Sequence, residues 1–443
     1  MANETIKPQL LKGFRDFLPA QMILRRRVIE TVRVIFERHG FAPLDTPALE
    51  YLETLTGKYG EEERLLYSFQ DAGGRAVGLR YDLTVPLARL VGMYHGQMVF
   101  PFKRYHIAPV WRAEKPQRGR YREFYQCDAD IVGAAGTLAD AEVVSILVEA
   151  MEAFGFPGYE ILLYNRKLLT AVARYAGVPA EQAGSIHRAI DKLAKIGPAG
   201  VLAEMERYGV PGDAARRALD LATEGAGDGN LAILARLESR LADDPTAQDG
   251  VRELREIVEY LGALTPAAAR VRVDPTLARG LDYYTGPIWE IQVQEPKVGS
   301  LGSGGRYDKL VGMFSGRDLP TTGCSLGLER IIDVMDSLDP ERAEASVSQV
   351  FVAVFGPEQL LPALHLLAEI RAAGLPAEIT LTPTDKLGKQ LQYADRLGIP
   401  LAVIVAPDEL ARGEVLVKQL KTGTQQTLPR VGAGAALVAQ VAL

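Results

Sequence analysis

The sequence predicts an α+β fold followed by a smaller α/β domain, on three observations. A hairpin pattern spans Val99 to Val132, a glycine-broken stretch rich in Ala, Leu, Glu and Arg runs from about 165 to 262, and strand and helix patterns alternate after Val350. At roughly 150 residues per domain, 443 residues suggest two to four folded units. A composition of 47% hydrophobic and 24% charged residues excludes a disordered chain.

The elements follow in order. From Ile23 to Phe36 apolar residues recur at helical spacing among arginines, and His39-Gly40 closes the helix. The next segment, FAPLDTPALE, holds Pro43 and Pro47, which cannot donate to a central ladder, so it reads as an extended edge or interface segment. The hairpin's outgoing run ends at Val110-Trp111, its loop carries Pro116 and Gly119, and its return run reaches Val132. Breaks at Gly197-Pro198, 209–212 and 225–229 divide the helical insertion into several short helices. Strand character returns at Val271–Val273 and Ile288–Val293, glycines follow at 299, 302, 304 and 305, and a helix starts near Leu326. The boundaries expected are a first domain over 1–336, a polar linker over 337–347 and an α/β domain over 348–443.

Composition narrows the setting. A net charge of −6 does not by itself mark a nucleic-acid binder, so a polyanion has to meet a local basic surface. Two cysteines, Cys127 and Cys324, make neither a disulfide framework nor a four-thiolate metal site, which fits a reducing, cytoplasmic setting. No apolar run has the 18 or so residues that span a bilayer, and the start MANETIKPQL lacks the apolar run of a secretory signal. No membrane partner is expected. Five histidines show no ligand spacing, and neither a Walker sequence nor a G-x-S-x-G elbow occurs. No metal site is expected, and His106 is expected to be structural.

Three constellations can carry chemistry. With period two, Arg122, Phe124, Gln126, Asp128 and Asp130 share one face of the return strand, and parity lets Arg112 join them if the register allows. A guanidinium for phosphate, a ring for a base, and an amide with carboxylates for a polar small molecule make a nucleotide-plus-ligand site. A solvated sheet face with surface ion pairs is the alternative. In LARGLDYYTGPIWEI, Arg279, Asp282, Tyr283 and Tyr284 fit a pocket for a small zwitterion; the alternative is a core tyrosine pair with one exposed arginine. Third, LGSGGRYDKLVG and GCSLGLER bring glycines and Arg330; such glycines read first as turns.

Taken together, the first helix with TPALE, RYDLTVPLAR (80–89), FKRYHIAPVWRAEKPQRGRYREFYQCDADIVG (102–133), LARGLDYYTG (277–286), SGGRYDKLVG (303–312) and GCSLGLERI (323–331) carry a resemblance. The chain resembles class II aminoacyl-tRNA synthetases, and within them the histidyl-tRNA synthetase family. RGLDYYTG is specific to that branch and its relatives, and the resemblance covers nearly the whole chain. It implies an antiparallel sheet flanked by helices, a helical insertion and a C-terminal α/β anticodon-binding domain. It implies activation of L-histidine by ATP, with Mg2+, and transfer to the terminal ribose of tRNA(His), in a homodimer.

Residue by residue, the resemblance places Arg112 on the α-phosphate, Phe124 on adenine and Arg330 over the base or near the γ-phosphate. Glu114, Arg120 and Arg122 complete the ATP site. Asp82, Leu83, Thr84 and Gln126 surround the α-ammonium, Asp130 and Tyr284 read the imidazole, and Tyr283 lines the same pocket. Arg279 lies by the reacting carboxylate and α-phosphate, where many class II relatives place a metal ion. Arg112 and Arg279 are thus the expected catalytic pair. One departure is that Val350 to Leu443 holds eight Lys/Arg against eight Asp/Glu, so tRNA binding there rests on shape, base contacts and a few cations such as Lys386, Lys389, Arg412 and Lys418. The competing reading is a non-catalytic regulatory subunit of ATP phosphoribosyltransferase. Such subunits lack the C-terminal domain and lose parts of the motifs that this chain keeps. An enzyme that activates an amino acid but loads something other than tRNA is the third.

Overall fold

The computed structural model describes residues 6–117, 119–179, 182–278, 283–339 and 346–441. They divide into two compact units, residues 1–15 with 28–339 and residues 16–27 with 340–443. The expected first domain, 1–336, thus loses residues 16–27 to the second unit.

In the first unit the strands are β1 (Ala42–Pro43), β2 (Leu49–Tyr51), β3 (Ser68–Gln70), β4 (Ala76–Leu79), β5 (Phe102–Trp111), β6 (Glu123–Val132), β7 (Tyr159–Asn165), β8 (Val271–Val273), β9 (Pro287–Val293), β10 (Gly302–Arg306) and β11 (Thr321–Gly327). The main sheet runs β1-β5-β6-β11-β10-β9-β7-β8, and β2-β4-β3 form a small second sheet. Pairing in the main sheet is antiparallel except at its ends, where β1 joins β5 and β8 joins β7 in parallel. Pro43 sits in the edge strand β1, where a missing N–H breaks no ladder.

One face of this sheet is covered by the helix Thr137–Phe154, whose buried Val143, Val144, Ile146, Leu147, Val148 and Met151 make it apolar on nearly every side. Such a helix has to be enclosed, and the helix Pro245–Leu264 packs against it. Among the described residues the insertion holds six α-helices between Arg166 and Leu264, and the helix Leu193–Arg207 bends where expected, at Gly197 (φ +69) before Pro198. The helix after β11 runs Leu328–Leu338, so it enters the expected linker; 340–345 lie outside the described residues.

β10 and β11 were not expected. Glycine is depleted in strands because it has no side chain to pack and loses more backbone freedom, yet Gly302, Gly304 and Gly305 form a central strand between β9 and β11. Their purpose becomes clear at the cavity.

In the second unit Val350–Val354 is buried along its length, as a strand covered on both faces requires. Strands Ala377–Ile379 and Leu401–Val405 flank it in parallel, and Glu414–Gln419 and Gln425–Pro429 continue the sheet antiparallel. Val350, Val352 and Val354 pack toward the helix Leu360–Ala372, while Phe351 and Ala353 pack toward Ala394 of the helix Leu387–Arg396.

Candidate active site

Alternate residues of a strand share a face, so register decides which side chains meet. β5 and β6 pair with Arg104 opposite Asp130, His106 opposite Asp128, Ala108 opposite Gln126 and Val110 opposite Phe124. β11 sets Gly323 opposite Asp130 and Ser325 opposite Asp128. Past the strand end the Arg112 N–H donates to the Arg122 carbonyl at 2.9 Å, so Arg112 stays in step with Val110. Residues of this face line a cavity of about 860 Å³. Its walls include the turn at Asp82 and Thr84, Tyr283, Tyr284, Tyr307, Arg330 and the insertion's Arg188 and Lys192. Glycines keep it open. A Cβ at Gly323 would overlap Asp130 Oδ1, and one at Gly305 would lie 2.8 Å from Tyr284 Cδ1.

One end is acidic. Asp82 Oδ1 accepts from the Thr84 and Val85 N–H groups in the first turn of the helix Thr84–Tyr94, at 3.1 and 3.0 Å, and from Tyr59 Oη at 3.2 Å; its Oδ2 has no protein partner. Gln126 Nε2 donates to Ser325 Oγ at 2.7 Å, which leaves Gln126 Oε1 bare. Asp130 is held by Tyr307 Oη, which donates to Oδ1, and by Arg104 Nη2, 2.7 Å from Oδ2 in an ion pair whose angles are not those of a hydrogen bond. Asp128 Oδ1 is buried and bare.

Burial raises the pKa of all three carboxyls. That of Asp128 reaches about 8, with Arg104 opposing the rise and Asp130 adding to it. Burial also raises the pKa of Tyr59, Tyr283, Tyr284 and Tyr307, so these hydroxyls stay protonated donors. A buried polar atom without a partner costs about 1–3 kcal/mol. Several such atoms in one cavity point to a ligand that brings N–H groups.

The other end is cationic. Arg112 lies with its guanidinium carbon 4.1 Å from the Tyr81 ring centroid and 5.0 Å from that of Phe124, and its Nε donates to the Tyr81 carbonyl at 3.1 Å. Arg330 Nε donates to the Gly119 carbonyl at 3.2 Å, tying the helix Leu328–Leu338 to the hairpin tip that carries Arg120. From the insertion come Arg188, Lys192 and Lys195. A guanidinium held between two rings is placed for an anion before the anion arrives.

Of the expected residues, Asp82, Thr84, Arg112, Arg120, Gln126, Asp130, Tyr283, Tyr284 and Arg330 line the cavity. Leu83 packs with Ala108 and Val110 under Phe124, and what it offers the site is a carbonyl that accepts from Arg104 Nη2 at 3.1 Å. Glu114, Arg122 and Phe124 stand outside the lining, with Arg122 donating to the Glu114 and Lys12 carbonyls at 3.0 and 3.2 Å. Arg279 and Asp282 lie outside the described residues. His106 Nε2 lies 2.9 Å from Asp45 Oδ1, and burial with Arg104 and Arg80 nearby lowers the ring's pKa to about 4.

Arg104, Tyr307 and Tyr59 join the site without having been singled out for it. Period two already placed Asp128 on the polar face, and Arg104 follows from the same parity on β5. No local pattern marks Tyr307 or the insertion's cations, because their part in the site is a matter of tertiary placement.

Comparison with known proteins shows the family. The sequence profile described as Histidyl-tRNA synthetase matches residues 13–331, and that of an anticodon binding domain matches residues 349–440. A histidine–tRNA ligase of Rhodopirellula baltica is 45% identical over 426 residues, 95% of each chain. One of Aeropyrum pernix is 45% identical over 437 residues, 96% of each chain. A crystal structure of histidyl-tRNA synthetase from a Nostoc species matches 98% of this chain and 100% of that one, with a TM-score of 0.89 at 31% identity. The chain belongs to the histidyl-tRNA synthetase family.

Proposed function

We propose that this cavity is where the chain, a histidine–tRNA ligase, joins L-histidine to ATP and then passes it to tRNA(His). The observation that carries the reading is the cavity's polarity: bare carboxylate and amide oxygens at one end, a ring-sandwiched guanidinium at the other. Histidine carries an ammonium and a ring with two nitrogens; ATP carries phosphates. Asp82 Oδ2, Gln126 Oε1 and Thr84 surround the ammonium, and Asp130 with Tyr284 meets the ring. Arg112 takes the α-phosphate, Phe124 stacks on adenine from beside the cavity, and Arg120 and Arg330 take the remaining phosphates or the base.

The carboxylate attacks the α-phosphorus in line and releases pyrophosphate; the terminal ribose hydroxyl then attacks the adenylate carbonyl and releases AMP. The protein's part is positioning and electrostatics. No side chain is required as general base, since a phosphate oxygen of the adenylate can take the ribose proton. Arg279 belongs by resemblance beside the reacting carboxylate.

Among the described residues no group of three or more His, Cys, Asp and Glu is arranged to hold a metal ion. That donor set fits Mg2+ carried on the triphosphate, which keeps several waters and needs one or two carboxylates at most. Such an ion would offset phosphate charge.

The C-terminal unit, with its anticodon-binding profile, is assigned to tRNA(His). Among the described residues no helix is long and apolar enough to cross a membrane. A cytoplasmic homodimer completes the reading.

Pyrophosphate exchange with a panel of amino acids, followed by charging of total tRNA, tests this. Exchange with histidine alone and charging of one isoacceptor family are expected. Exchange without charging would mean another acceptor, and no exchange would leave the regulatory reading. In the same assay Arg279→Ala is expected to slow adenylate formation far more than it weakens ATP binding; near-normal activation would remove Arg279 from the mechanism.

A further inference from the structure

The acidic end of the cavity holds one more carboxylate than the roles above use. On β6, Gln126, Asp128 and Asp130 follow one another on the same face, about 6.6 Å apart at each step. Asp128 therefore stands midway between the residue given to the ammonium and the residue given to the ring.

The three differ in what they still have to offer. Asp130 is hydrogen-bonded by Tyr307 at Oδ1 and ion-paired with Arg104 at Oδ2, an oxygen that keeps no hydrogen-bond partner of its own. Gln126 keeps Oε1 and Asp82 keeps Oδ2, and together with Thr84 these can meet the three N–H groups of an ammonium. Asp128 lines the cavity, is 1% exposed, and its Oδ1 has no protein partner. Its charged and polar neighbours are Arg104 and His106 on β5, Asp130 on β6, Ser325 on β11, and Asp82 and Arg80 from the segment after β4. Arg104 is ion-paired with Asp130 through Nη2 and forms no ion pair with Asp128, although its Nε and Nη1 keep no hydrogen-bond partner and its charge acts on Asp128. A fold that needed only a filled space here would gain by an apolar residue.

We propose that Asp128 is a specificity-determining residue: beside the Tyr284 hydroxyl, its Oδ1 holds the second nitrogen of the substrate's imidazole, while Asp130, fixed by Arg104 and Tyr307, meets the first. This rests on the reading of the cavity as a histidine site and adds to it. Two partners for two nitrogens reject rings that lack either one, because a bare buried acceptor is left behind. The raised pKa of Asp128 lets this group approach a ring nitrogen either as a carboxylate that accepts or as a carboxyl that donates.

The test is Asp128→Asn in pyrophosphate exchange, with inhibition by imidazolepropionate, which keeps the ring and lacks the ammonium. The KM for histidine is expected to rise at least about tenfold with the KM for ATP unchanged, and the imidazolepropionate Ki to rise by a similar factor. An unchanged KM for histidine overturns the proposal. So does a raised KM with an unchanged Ki, which would move Asp128 to the ammonium. A fall in melting temperature with both KM values unaffected would make it structural and also overturn the proposal. Should Asp128→Asn fail to fold by near-UV circular dichroism, Asp128→Glu carries the same two readouts. Wild-type exchange with histidine is the control: if that fails, the cavity reading falls, and if it holds while the variant behaves as wild type, this inference alone falls.

Discussion

Two buried arginines lie on opposite faces of one sheet, and their surroundings differ. Arg306, on β10, is satisfied throughout. Its Nε and Nη2 donate to Asp140 Oδ2 at 3.1 and 2.7 Å, its Nη1 to the Ala134 carbonyl at 2.9 Å, and its Nη2 also to the Gly136 carbonyl at 3.1 Å. Arg104, on β5, donates once, to the Leu83 carbonyl, and pairs with Asp130, while its Nε and Nη1 have no hydrogen-bond partner. Arg306 pins the start of the helix Thr137–Phe154 to the sheet and completes a fold. Arg104 belongs to a network that the protein leaves unfinished. Buried polar groups are normally satisfied, so a cluster of exceptions marks where something else is meant to bind.

The contrast can be broken by experiment. Arg306→Gln is expected to destabilise by about 3–5 kcal/mol, because it strands Asp140 and two carbonyls; urea unfolding measures it, and a loss no larger than that of Arg104→Gln would erase the distinction. Arg104→Gln is expected to show itself in catalysis instead, with the KM for histidine raised at least about tenfold as Asp130 loses its orientation. Gly323→Ala sharpens the argument at the cavity floor. The new methyl would displace Asp130, at a cost of about 1–3 kcal/mol, with KM rising for histidine and not for ATP.

The smallest effect belongs to a charge cluster outside the cavity. His39 lies 2.8 Å from Glu149 Oε2 and 3.3 Å from Glu142 Oε1, and Lys103 Nζ lies 2.9 Å from Glu142 Oε1. The hydrogen bond to Glu142 raises the His39 pKa above its ordinary 6.5, and the bond from His39 lowers that of Glu142 from 4.5 to about 2. The histidine's contribution is therefore complete below pH 6.5 and fades as pH climbs through its raised value. The glutamate's is complete above pH 4.5 and fades as pH falls toward 2. Thermal unfolding of His39→Gln should differ from wild type most between about pH 4.5 and 6.5, by about 1 kcal/mol or less, and converge in alkali. A gap that widens with pH would reverse the assignment.

Much of this could be read in the chain. The hairpin was expected because its turn residues separate two apolar runs, and the insertion because helix formers are punctuated by Gly and Pro. The polar face of β6 followed from period two. β10 and β11 escaped because their glycines contradict strand propensity, and the reason lies at the site: a Cβ at Gly305 or Gly323 would collide with Tyr284 or Asp130, two residues that line the cavity. Leu83 was expected among the substrate's neighbours, yet it packs under Phe124 and turns only its carbonyl to the site.

The amino-acid order alone determined which segments become strands or helices wherever local pattern and propensity agree, and which chemical groups share a strand face, since both depend on residues a few positions apart. Only the tertiary structure decided which carboxylates are spoken for. Asp128 and Asp130 are alike in one dimension, and they part company because Tyr307, 177 positions away, reaches Asp130, while the register of β5 sets Arg104 opposite the same residue. Burial then makes the difference matter, because away from water an oxygen without a partner has nothing else to turn to.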